Sequence, residues 1–350
     1  MPRIVPRPRP LMTTPTPDRA AAVSAVADAI RTRHRFVLSS HARPDGDAIG
    51  SQLAMAFALD HLGKQVTIVN RDPVPGPLTP FPGTDRIVVA DHVDEVYDAA
   101  IIMECSSLDR TGVRGFEQSF VINIDHHQGN TGYGAVNWFD QGAAACAEMV
   151  FDVIVALGVP LTPAIATHLY VGILTDTGSF HYSAISPKTF DIARQLVEAG
   201  VNPTTVARTV FDSNTLGRLK LFGAVLSGIE LEHEGRLAVM RVDQAMTAAA
   251  GGTYEDTEGL INLPLTVREI RASVFFKELG PTEFRVSLRS KGAIDVAAVA
   301  KQFGGGGHKN ASGCSVPGAY EEARRLIVVA MGPAIAEGLA QEPDQPRPTA

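Results

Sequence analysis

Acidic residues and histidines cluster in short polar segments of this chain, and their side chains are types that bind divalent metal ions. His41, Asp45 and Asp47 fall within seven residues, in a segment that Pro44 and Gly46 make compact. One imidazole and two carboxylates are donors that suit Mn²⁺ or Mg²⁺. A solvated turn whose carboxylates cap the next helix explains this segment about equally well.

Further acidic residues and histidines follow apolar segments. The triplet Asp125-His126-His127 ends one apolar run, Glu104 ends another, and Asp176 follows an apolar helical pattern. Three adjacent titratable groups at the end of a strand are hard to explain by packing, since each needs its own partner once it is desolvated. For His126 alone, the simpler interpretation is a core histidine whose hydrogen bonds are satisfied.

The pattern of apolar runs predicts the sheet that must position these residues. The runs are short, lack alternation and are bounded by polar or turn residues, which is typical of a parallel sheet buried between helices. In such a sheet, side chains at the carboxyl ends of the strands converge on one crevice. The predicted strands are 36–39, 66–69, 87–89, 100–103 and 120–124, and the predicted helices are 18–30, 48–62, 143–157, 163–174 and 186–199.

Six of these side chains are enough to hold two metal ions. Two imidazoles and four carboxylates suffice if one carboxylate bridges, and two ions ~3.5 to 4 Å apart generate hydroxide and neutralise charge in phosphoester hydrolysis. A helix cap or a surface charge explains any one of them, but that interpretation must hold at all six positions together. The six are His41, Asp45, Asp47, Glu104, His126 and Asp176.

The second half of the chain carries a different signal, which is a run of glycines. Gly304 to Gly307 precede His308 and Ser312, and consecutive glycines let backbone N–H groups form a concave nest for a phosphate. A flexible loop explains the run too. Arg289 is either a phosphate fork or an exposed arginine at a strand end. Strand patterns at 236–242, 272–277 and 283–288 and helical patterns at 295–303 and 320–339 predict a smaller mixed α/β domain.

Length, composition and charge exclude several classes of protein. The chain has 350 residues, of which 45% are hydrophobic and 20% charged, and this favours two globular domains over a disordered or fibrous chain. No apolar run reaches the ~18 residues of a membrane span. The net charge of −7 argues against tight binding along a long nucleic-acid backbone. Three scattered cysteines predict a reducing cytoplasm rather than a disulfide framework.

Four motifs, in their order along the chain, resemble those of the DHH/DHHA1 phosphoesterase family. They are the segment from His41 to Ser51, the triplet Asp125-His126-His127, the segment around Asp176 and the segment from Gly305 to Gly313. Within the family, the chain most resembles the stand-alone oligoribonucleases and phosphatases of 3′-phosphoadenosine 5′-phosphate (pAp), because it has no accessory regions. The resemblance implies an α/β fold, with an N-terminal DHH domain whose parallel sheet is flanked by helices and a smaller mixed α/β DHHA1 domain.

The resemblance also implies metal ligands and substrate-binding residues. It implies two Mn²⁺ ions, with Mg²⁺ or Co²⁺ as substitutes; one is held by His41, Asp45 and Glu104, and the other by Asp47, Glu104, His126 and Asp176. Glu104 departs from the aspartate that is usual at the bridging position, and Asp109 is the neighbouring alternative. His127 would be the catalytic residue that orients the ligands or contacts the phosphate. The residues implied in substrate binding are Arg110, Arg289, Gly306, Gly307, His308 and Ser312.

The implied activity is hydrolysis of short oligoribonucleotides to mononucleotides and dephosphorylation of pAp. Hydrolysis of cyclic dinucleotides or of pApA is one alternative, and a catalytically silent nucleotide sensor is another. Neither a long nucleic acid nor a membrane is expected as a partner, and a homodimer is left open. The predicted boundaries are a disordered Pro-rich lead at 1–17 with Met12 as an alternative start, the DHH domain at 18–214, a helical connector at 215–229, the DHHA1 domain at 230–340 and a disordered tail at 341–350.

Overall fold

The computed structural model describes residues 19–181 and 184–341, and these divide into two units. The first unit ends at Ser213 and the second begins at Asn214. The predicted lead, the alternative start at Met12 and positions 342–350 of the predicted tail lie outside the described residues, as does the side chain of His308. In the described part of the chain, no helix is long and apolar enough to cross a lipid bilayer.

Parallel strands form the sheet of the first unit, and all five strands predicted for it are present. Their order across the sheet changes direction between the first and fourth strands, and ligands of open α/β sheets bind outside the carboxyl ends of the strands at such a point. The strands are β1 Arg35–Ser39, β2 Gln65–Asn70, β3 Ile87–Val89, β4 Ala99–Met103, β5 Phe120–Asp125 and β6 Val136–Phe139, in the order β3-β2-β1-β4-β5-β6.

Helices cover one face of this sheet, where they share a core with Phe36 and Leu38 of β1. The opposite face, on which Val37 lies, is covered by loops and 3₁₀ turns around Leu108 and Phe116. The predicted parallel α/β sheet is therefore confirmed, with helices on one face rather than both. The helices are α1 Arg19–Arg31, α2 Gly46–His61, α3 Cys146–Ala156, α4 Pro163–Asp176, α5 Pro187–Glu198 and α6 Pro203–Phe211.

The second unit contains a mixed sheet, as the sequence predicts. Among its described neighbours, only the second and third strands along the chain pair in parallel. The strands are β7 Glu230–Glu232, β8 Leu237–Val242, β9 Ala272–Gly280, β10 Glu283–Ser290, β11 Gly306–His308 and β12 Ala311–Pro317, in the order β11-β12-β10-β9-β8-β7. The helices are α7 Leu216–Ser227, α8 Gln244–Ala250, α9 Val296–Gln302 and α10 Tyr320–Ala340.

The two faces of this second sheet are covered to different extents. Helices α9 and α10 share a core with Val286 and Leu288 on one face. On the other face, α7 packs over Met240 and Phe275 of β8 and β9. The helix predicted as a connector thus contributes its apolar side to the core of the second unit.

Candidate metal centre

The loop after β1 presents His41 and Asp45 with fixed orientations. Asp45 caps α2, because its Oδ1 accepts the backbone N–H groups of Asp47 and Ala48 at 3.1 and 3.0 Å. Its Oδ2 lies 3.7 Å from His41 Nε2. The Nδ1 of His41 donates to the carbonyl oxygen of Ala42 at 2.9 Å, which leaves Nε2 as the free ring nitrogen. The oxygen of Asp45 that caps the helix is therefore not the one that faces His41.

Asp47 is fully buried and is held by the start of α3. Its Oδ2 accepts the backbone N–H of Cys146 at 2.6 Å, and its Oδ1 accepts that of Ala147 at 2.9 Å. The Ser51 hydroxyl donates to Oδ1 at 3.1 Å. The positive end of a helix dipole and these donors stabilise a buried carboxylate that has no cationic side chain bonded to it.

Close packing of α2 against α4 positions Asp47 relative to Asp176. A Cβ atom added at Gly50 would lie 2.5 Å from the carbonyl oxygen of His168, and one added at Gly172 would lie 2.7 Å from Asp47 Oδ1. Both distances are shorter than any real contact of a Cβ atom, so both positions require glycine. Asp176 lies at the end of α4, half-buried beside this contact.

Glu104 follows β4 and is the most constrained of the acidic residues. It is 0% exposed and has a φ of 57°, a left-handed conformation that is uncommon for residues other than glycine. Its Oε1 lies 3.2 Å from His126 Nε2, whereas its Oε2 is buried with no hydrogen-bond partner. A buried, unpartnered carboxylate oxygen is costly unless a cation balances it.

The two histidines that follow β5 are held by different partners. His126 Nδ1 donates to the carbonyl oxygen of Ala143 at 3.0 Å, so its Nε2 faces Glu104 and lies 3.5 Å from Asp176 Oδ2. His127 Nδ1 lies 2.9 Å from Asp125 Oδ1. Asp125 is fully buried and orients the second ring rather than the first.

The six predicted ligands come together in two groups that share one residue. One donor atom from each of four residues lies within 4.8 Å of the others, and the same holds for a second group of three. Glu104 is the member common to both groups, as a bridging carboxylate must be. The groups are Asp47, Glu104, His126 and Asp176, and His41, Asp45 and Glu104. A further group joins His127, which is not among the six, to Glu104 and His126. That they hold ions stays a prediction.

Burial and neighbouring charges shift the pKa values of the side chains in this cluster. Burial and the charge of Asp47 raise the pKa of Glu104 well above its usual value, and the same two causes raise the pKa of Asp176 to about 7. Burial alone would lower the pKa of His126, but its hydrogen bond to Glu104 and the neighbouring acids raise it to about 11. The cluster therefore has a strong affinity for positive charge. Two Nε2 atoms that face the acidic side chains, four carboxylates and the unpartnered Glu104 oxygen fit divalent metal ions.

Arg110 and Asp109 lie in a 3₁₀ turn after β4, and both side chains are exposed. The Arg110 carbonyl oxygen accepts the backbone N–H of Ala42 at 2.7 Å, which joins this turn to the His41 loop. The Arg110 guanidinium donates to the Ser106 hydroxyl at 3.0 Å. Asp109 belongs to neither group of clustered donors, whereas Glu104 belongs to both.

The glycine run of the second unit folds as strand β11 rather than as a concave nest. A Cβ atom at Gly305 would lie 2.2 Å from the Gly313 carbonyl oxygen, and one at Gly307 would lie 2.5 Å from that of Ala311. These glycines let β11 approach β12. At Gly306 an added Cβ atom would meet nothing within 4 Å.

Arg289 and Ser312 face opposite sides of the second sheet. Ser312 pairs with Leu288 on the core side, where its hydroxyl donates to the Val296 carbonyl oxygen at 2.7 Å. The structure therefore does not bring the Ser312 hydroxyl to Arg289, because α9 already uses it. Arg289 is half-buried, and its described hydrogen bond goes to the carbonyl oxygen of Leu288.

Sequence reasoning left several supporting residues without a role. Asp125 lies in a recognised triplet, and its burial at the strand end is the signal that could have assigned it to orient His127. The role of Gly172 carries no local signal, since it depends on a contact with Asp47 in another helix. Ser51 and Asp47 are four residues apart on one helix, and this spacing is a local signal that predicts their contact.

These observations describe a two-unit α/β chain with a cluster of side chains that could hold metal ions at the switch point of a parallel sheet. The family model "DHH family, N-terminal domain" matches residues 35–173, and the "DHHA1 domain" model matches residues 235–331. The chain belongs to the DHH/DHHA1 phosphoesterase family, as its motifs predict. The first model ends three residues before Asp176.

Curated relatives span most of the chain. It is 34% identical over 297 residues to the bifunctional oligoribonuclease and PAP phosphatase NrnA of Thermus thermophilus, a match that covers 83% of this chain and 88% of that one. It is 28% identical to the protein of the same name from Bacillus subtilis, with 83% and 92% covered. A crystal structure of an exopolyphosphatase-related protein from Bacteroides fragilis matches with a TM-score of 0.82 and 26% identity, covering 92% of this chain and 98% of that one.

Proposed function

We propose that this chain is a metal-dependent phosphoesterase that hydrolyses short oligoribonucleotides to mononucleotides and removes phosphate from pAp. The observation that carries the proposal is the pair of donor groups that share Glu104 at the switch point of the sheet. The names of the Thermus and Bacillus relatives support the substrate class.

The donors suit two manganese ions. His41, Asp45 and Glu104 would hold one ion, and Asp47, Glu104, His126 and Asp176 the other. The mixture of imidazole and carboxylate favours Mn²⁺, with Mg²⁺ or Co²⁺ as substitutes. When bound, the ions supply Lewis-acid chemistry, which activates water near neutral pH and offsets the charge that develops on the phosphoryl oxygens.

His127 is the side chain we assign to the substrate phosphate. Its Nδ1 is held by Asp125, and Asp125 also accepts a hydrogen bond from the side-chain amide of Asn130 at 2.6 Å. The ring of His127 meets that of His126 edge to face, with centroids 5.0 Å apart. An oriented Nε2 beside the ligands can donate a proton to a phosphoryl or leaving-group oxygen, and this positioning costs little at the moment of reaction.

Cations outside the metal centre would hold the rest of the nucleotide. Arg110 is exposed on the turn joined to the His41 loop, and we assign its guanidinium to a phosphate oxygen. In the second unit, we assign substrate binding to Arg289 and to the unobstructed backbone at Gly306. We assign it to His308 as well, on the sequence motif alone. The inward-facing hydroxyl of Ser312 instead joins β12 to the start of α9.

A panel of substrates tests this function. The full-length protein is supplied in turn with Mn²⁺, Mg²⁺ and Co²⁺, and initial rates are measured on pAp, a dinucleotide, a pentanucleotide and a 24-mer RNA. We expect hydrolysis of pAp and the highest catalytic efficiency for RNAs of about two to four nucleotides, because a chain of net charge −7 gains little from each further phosphate. Equal or rising efficiency towards the 24-mer would contradict the short-substrate assignment.

The same panel separates the alternatives. Faster turnover of pApA or cyclic di-AMP than of RNA dimers would favour a cyclic dinucleotide pathway enzyme. Binding of nucleotides without hydrolysis under every metal would favour a silent sensor.

The cell compartment and the domain limits belong to the same proposal. All three cysteines, Cys105, Cys146 and Cys314, are buried and unpaired, which supports the proposed reducing cytoplasm. We keep the DHH domain at 18–214 and the DHHA1 domain at 230–340, with the helix between them counted with the second unit on its packing.

A further inference from the structure

One face of the sheet in the second unit carries cations without carboxylate partners. Side chains alternate along β10, so Arg285, Ser287 and Arg289 share a face, and the direct pairing of Arg285 with Lys277 of β9 adds that lysine to it. On β12 the same face continues through Gly313 and Ser315. We call this surface the open face; it consists of Lys277, Arg285, Ser287, Arg289, Gly313 and Ser315.

Burial alternates along the strands in agreement with this assignment. Phe284, Val286 and Leu288 of β10 are buried against α9 and α10. Arg285 is exposed, and Ser287 and Arg289 are half-buried. The side chains of Ser287 and Ser315 are small, as is the bare backbone at Gly313.

Lys277 and Arg285 form a cross-strand pair of like charge. Like charges directly opposite each other destabilise a sheet. In the described part of the chain, neither side chain forms an ion pair with a carboxylate, and the ammonium of Lys277 lies 3.3 Å from the carbonyl oxygen of Tyr254. Burial and the charge of Arg285 lower the pKa of Lys277, although Glu258 and Glu255 oppose the shift.

The position of the pair indicates the size of the ligand. Arg285 and Arg289 are four residues apart on one strand, which places their Cα atoms about 14 Å apart. We therefore assign the Lys277 and Arg285 pair to a different phosphate from the one assigned to Arg289. A ligand that reaches both carries several phosphates along an extended backbone.

We propose that Lys277 and Arg285 contact a further backbone phosphate of an oligonucleotide and so favour oligonucleotides over pAp. This inference rests on the proposed function, and it assigns a specificity role to two residues for which the sequence motifs predict none. The Lys277 ammonium would bind the phosphate as a compact charge, and the planar Arg285 guanidinium would bind it through two N–H groups. The small neighbouring residues would admit the sugar-phosphate chain.

Binding without turnover tests the inference separately from the function. Full-length wild type, Lys277→Ala and Arg285→Ala are titrated with fluorescently labelled pApApA and pAp in EDTA, so that no hydrolysis intervenes. We expect each substitution to weaken binding of the trinucleotide about fivefold to tenfold and to change binding of pAp by less than twofold. The slope of log affinity against log salt should become less steep by about 0.7 for each lost phosphate contact.

Arg325→Ala is the matched control for charge. Arg325 lies on α10, the helix over the opposite face, and is paired with Glu322. The Arg325→Ala substitution removes one positive charge from the same unit, so we expect binding of both ligands to stay within twofold of wild type. A loss equal to that of Arg285→Ala would mean that net charge, and not the open face, controls binding, and would overturn the inference.

Arg285→Glu separates binding from folding. It replaces a like-charged cross-strand pair by an opposite-charged one, so the midpoint of thermal unfolding should rise by about 2 °C while trinucleotide binding falls further than in Arg285→Ala. Unchanged trinucleotide binding in this variant, or no measurable trinucleotide binding by wild type, would overturn the inference. Absence of hydrolysis in the metal panel, with these binding results intact, would instead count against the proposed function.

Discussion

The candidate metal centre and the open face both concentrate charge of one sign, and they differ in how the surrounding structure balances it. In the metal centre, backbone N–H groups, a helix start and two histidines surround the carboxylates, and Glu104 alone keeps a buried oxygen without a partner. On the open face, Lys277 and Arg285 lie opposite each other beside small residues. The first arrangement fixes donor atoms for small cations; the second leaves flexible cations for a larger anion.

The largest effect should come from the carboxylates of the metal centre. Asp176→Asn removes one charge from a group of four donors and should lower kcat/KM for pAp by at least about 10³-fold, with little change in the unfolding midpoint because Asp176 is half-buried. The control is Asp91→Asn, an exposed acid that follows β3 of the same sheet; its kcat/KM should stay within about twofold. Wild-type turnover in Asp176→Asn with saturating Mn²⁺ would remove this residue from the ligand set.

Asp47 is a less clean probe than the sequence suggests. The sequence alone predicts that Asp47→Ala abolishes hydrolysis and leaves the fold nearly intact. Because Asp47 accepts two backbone N–H groups of α3, its removal also leaves buried donors unpaired and should cost about 1 to 3 kcal/mol of stability. Urea unfolding in EDTA, where bound metal contributes nothing to stability, measures that cost.

A smaller effect should follow from the glycine that admits Asp47. Gly172→Ala places a methyl group against Asp47 Oδ1 and Ala147, so we expect a loss of about 2 kcal/mol of stability and about 10²-fold in kcat/KM. Gly223→Ala is the matched control, since an added Cβ atom in the middle of α7 meets nothing within 4 Å. It should raise stability by about 1 kcal/mol and leave activity unchanged. Equal unfolding free energies for the two variants would refute the packing argument.

The smallest effect on activity concerns His168, which lies neutral in the contact of α4 with α2 and acts on stability alone. Its ring stacks on Phe57 with centroids 5.6 Å apart, and its Nε2 donates to the Pro82 carbonyl oxygen at 2.8 Å. Burial lowers its pKa from 6.5 to about 4, although the bond to Pro82 opposes the shift. Because the unfolded chain takes up this proton first, the contribution of His168 is complete above pH 6.5 and is lost as the pH falls towards 4.

The difference between wild type and His168→Gln isolates this contribution. The free energy of unfolding of wild type should fall by about 3 kcal/mol more than that of the variant between pH 7 and pH 4. Other groups titrate in both proteins and cancel in the comparison. Parallel pH profiles would show that His168 does not stay neutral in the folded protein.

Much of the fold could be predicted because its signals are local. The buried strands of the first sheet are apolar runs, and the Ser186 cap, Pro187 and Gly200 delimit α5 as their residue types require. Strand β6 was not predicted, because Asn137 interrupts a short apolar run. The conformation of Glu104, the opposite facing of Ser312 and the need for Gly172 depend on contacts between distant segments, which no local pattern encodes.

The candidate site was predictable as a set of residues but not as an arrangement. Residue types and spacing indicate six ligands, since acids and histidines at strand ends have few structural reasons to recur. They do not show that Asp45 divides its two oxygens between a helix cap and His41, or that Asp125 holds His127. For the glycine run, the residue types indicate a phosphate nest, but two of the glycines instead allow two strands to pair closely.

If two ions share Glu104, the number of Mn²⁺ ions that the protein binds depends on that carboxylate. Isothermal titration calorimetry of the full-length protein should give two ions per chain for wild type and for Glu104→Asp, since aspartate keeps the carboxylate and tolerates the left-handed conformation. Glu104→Gln should bind fewer than two ions, with weaker affinity for any that remains. Two ions bound by Glu104→Gln with wild-type affinity would contradict the shared site.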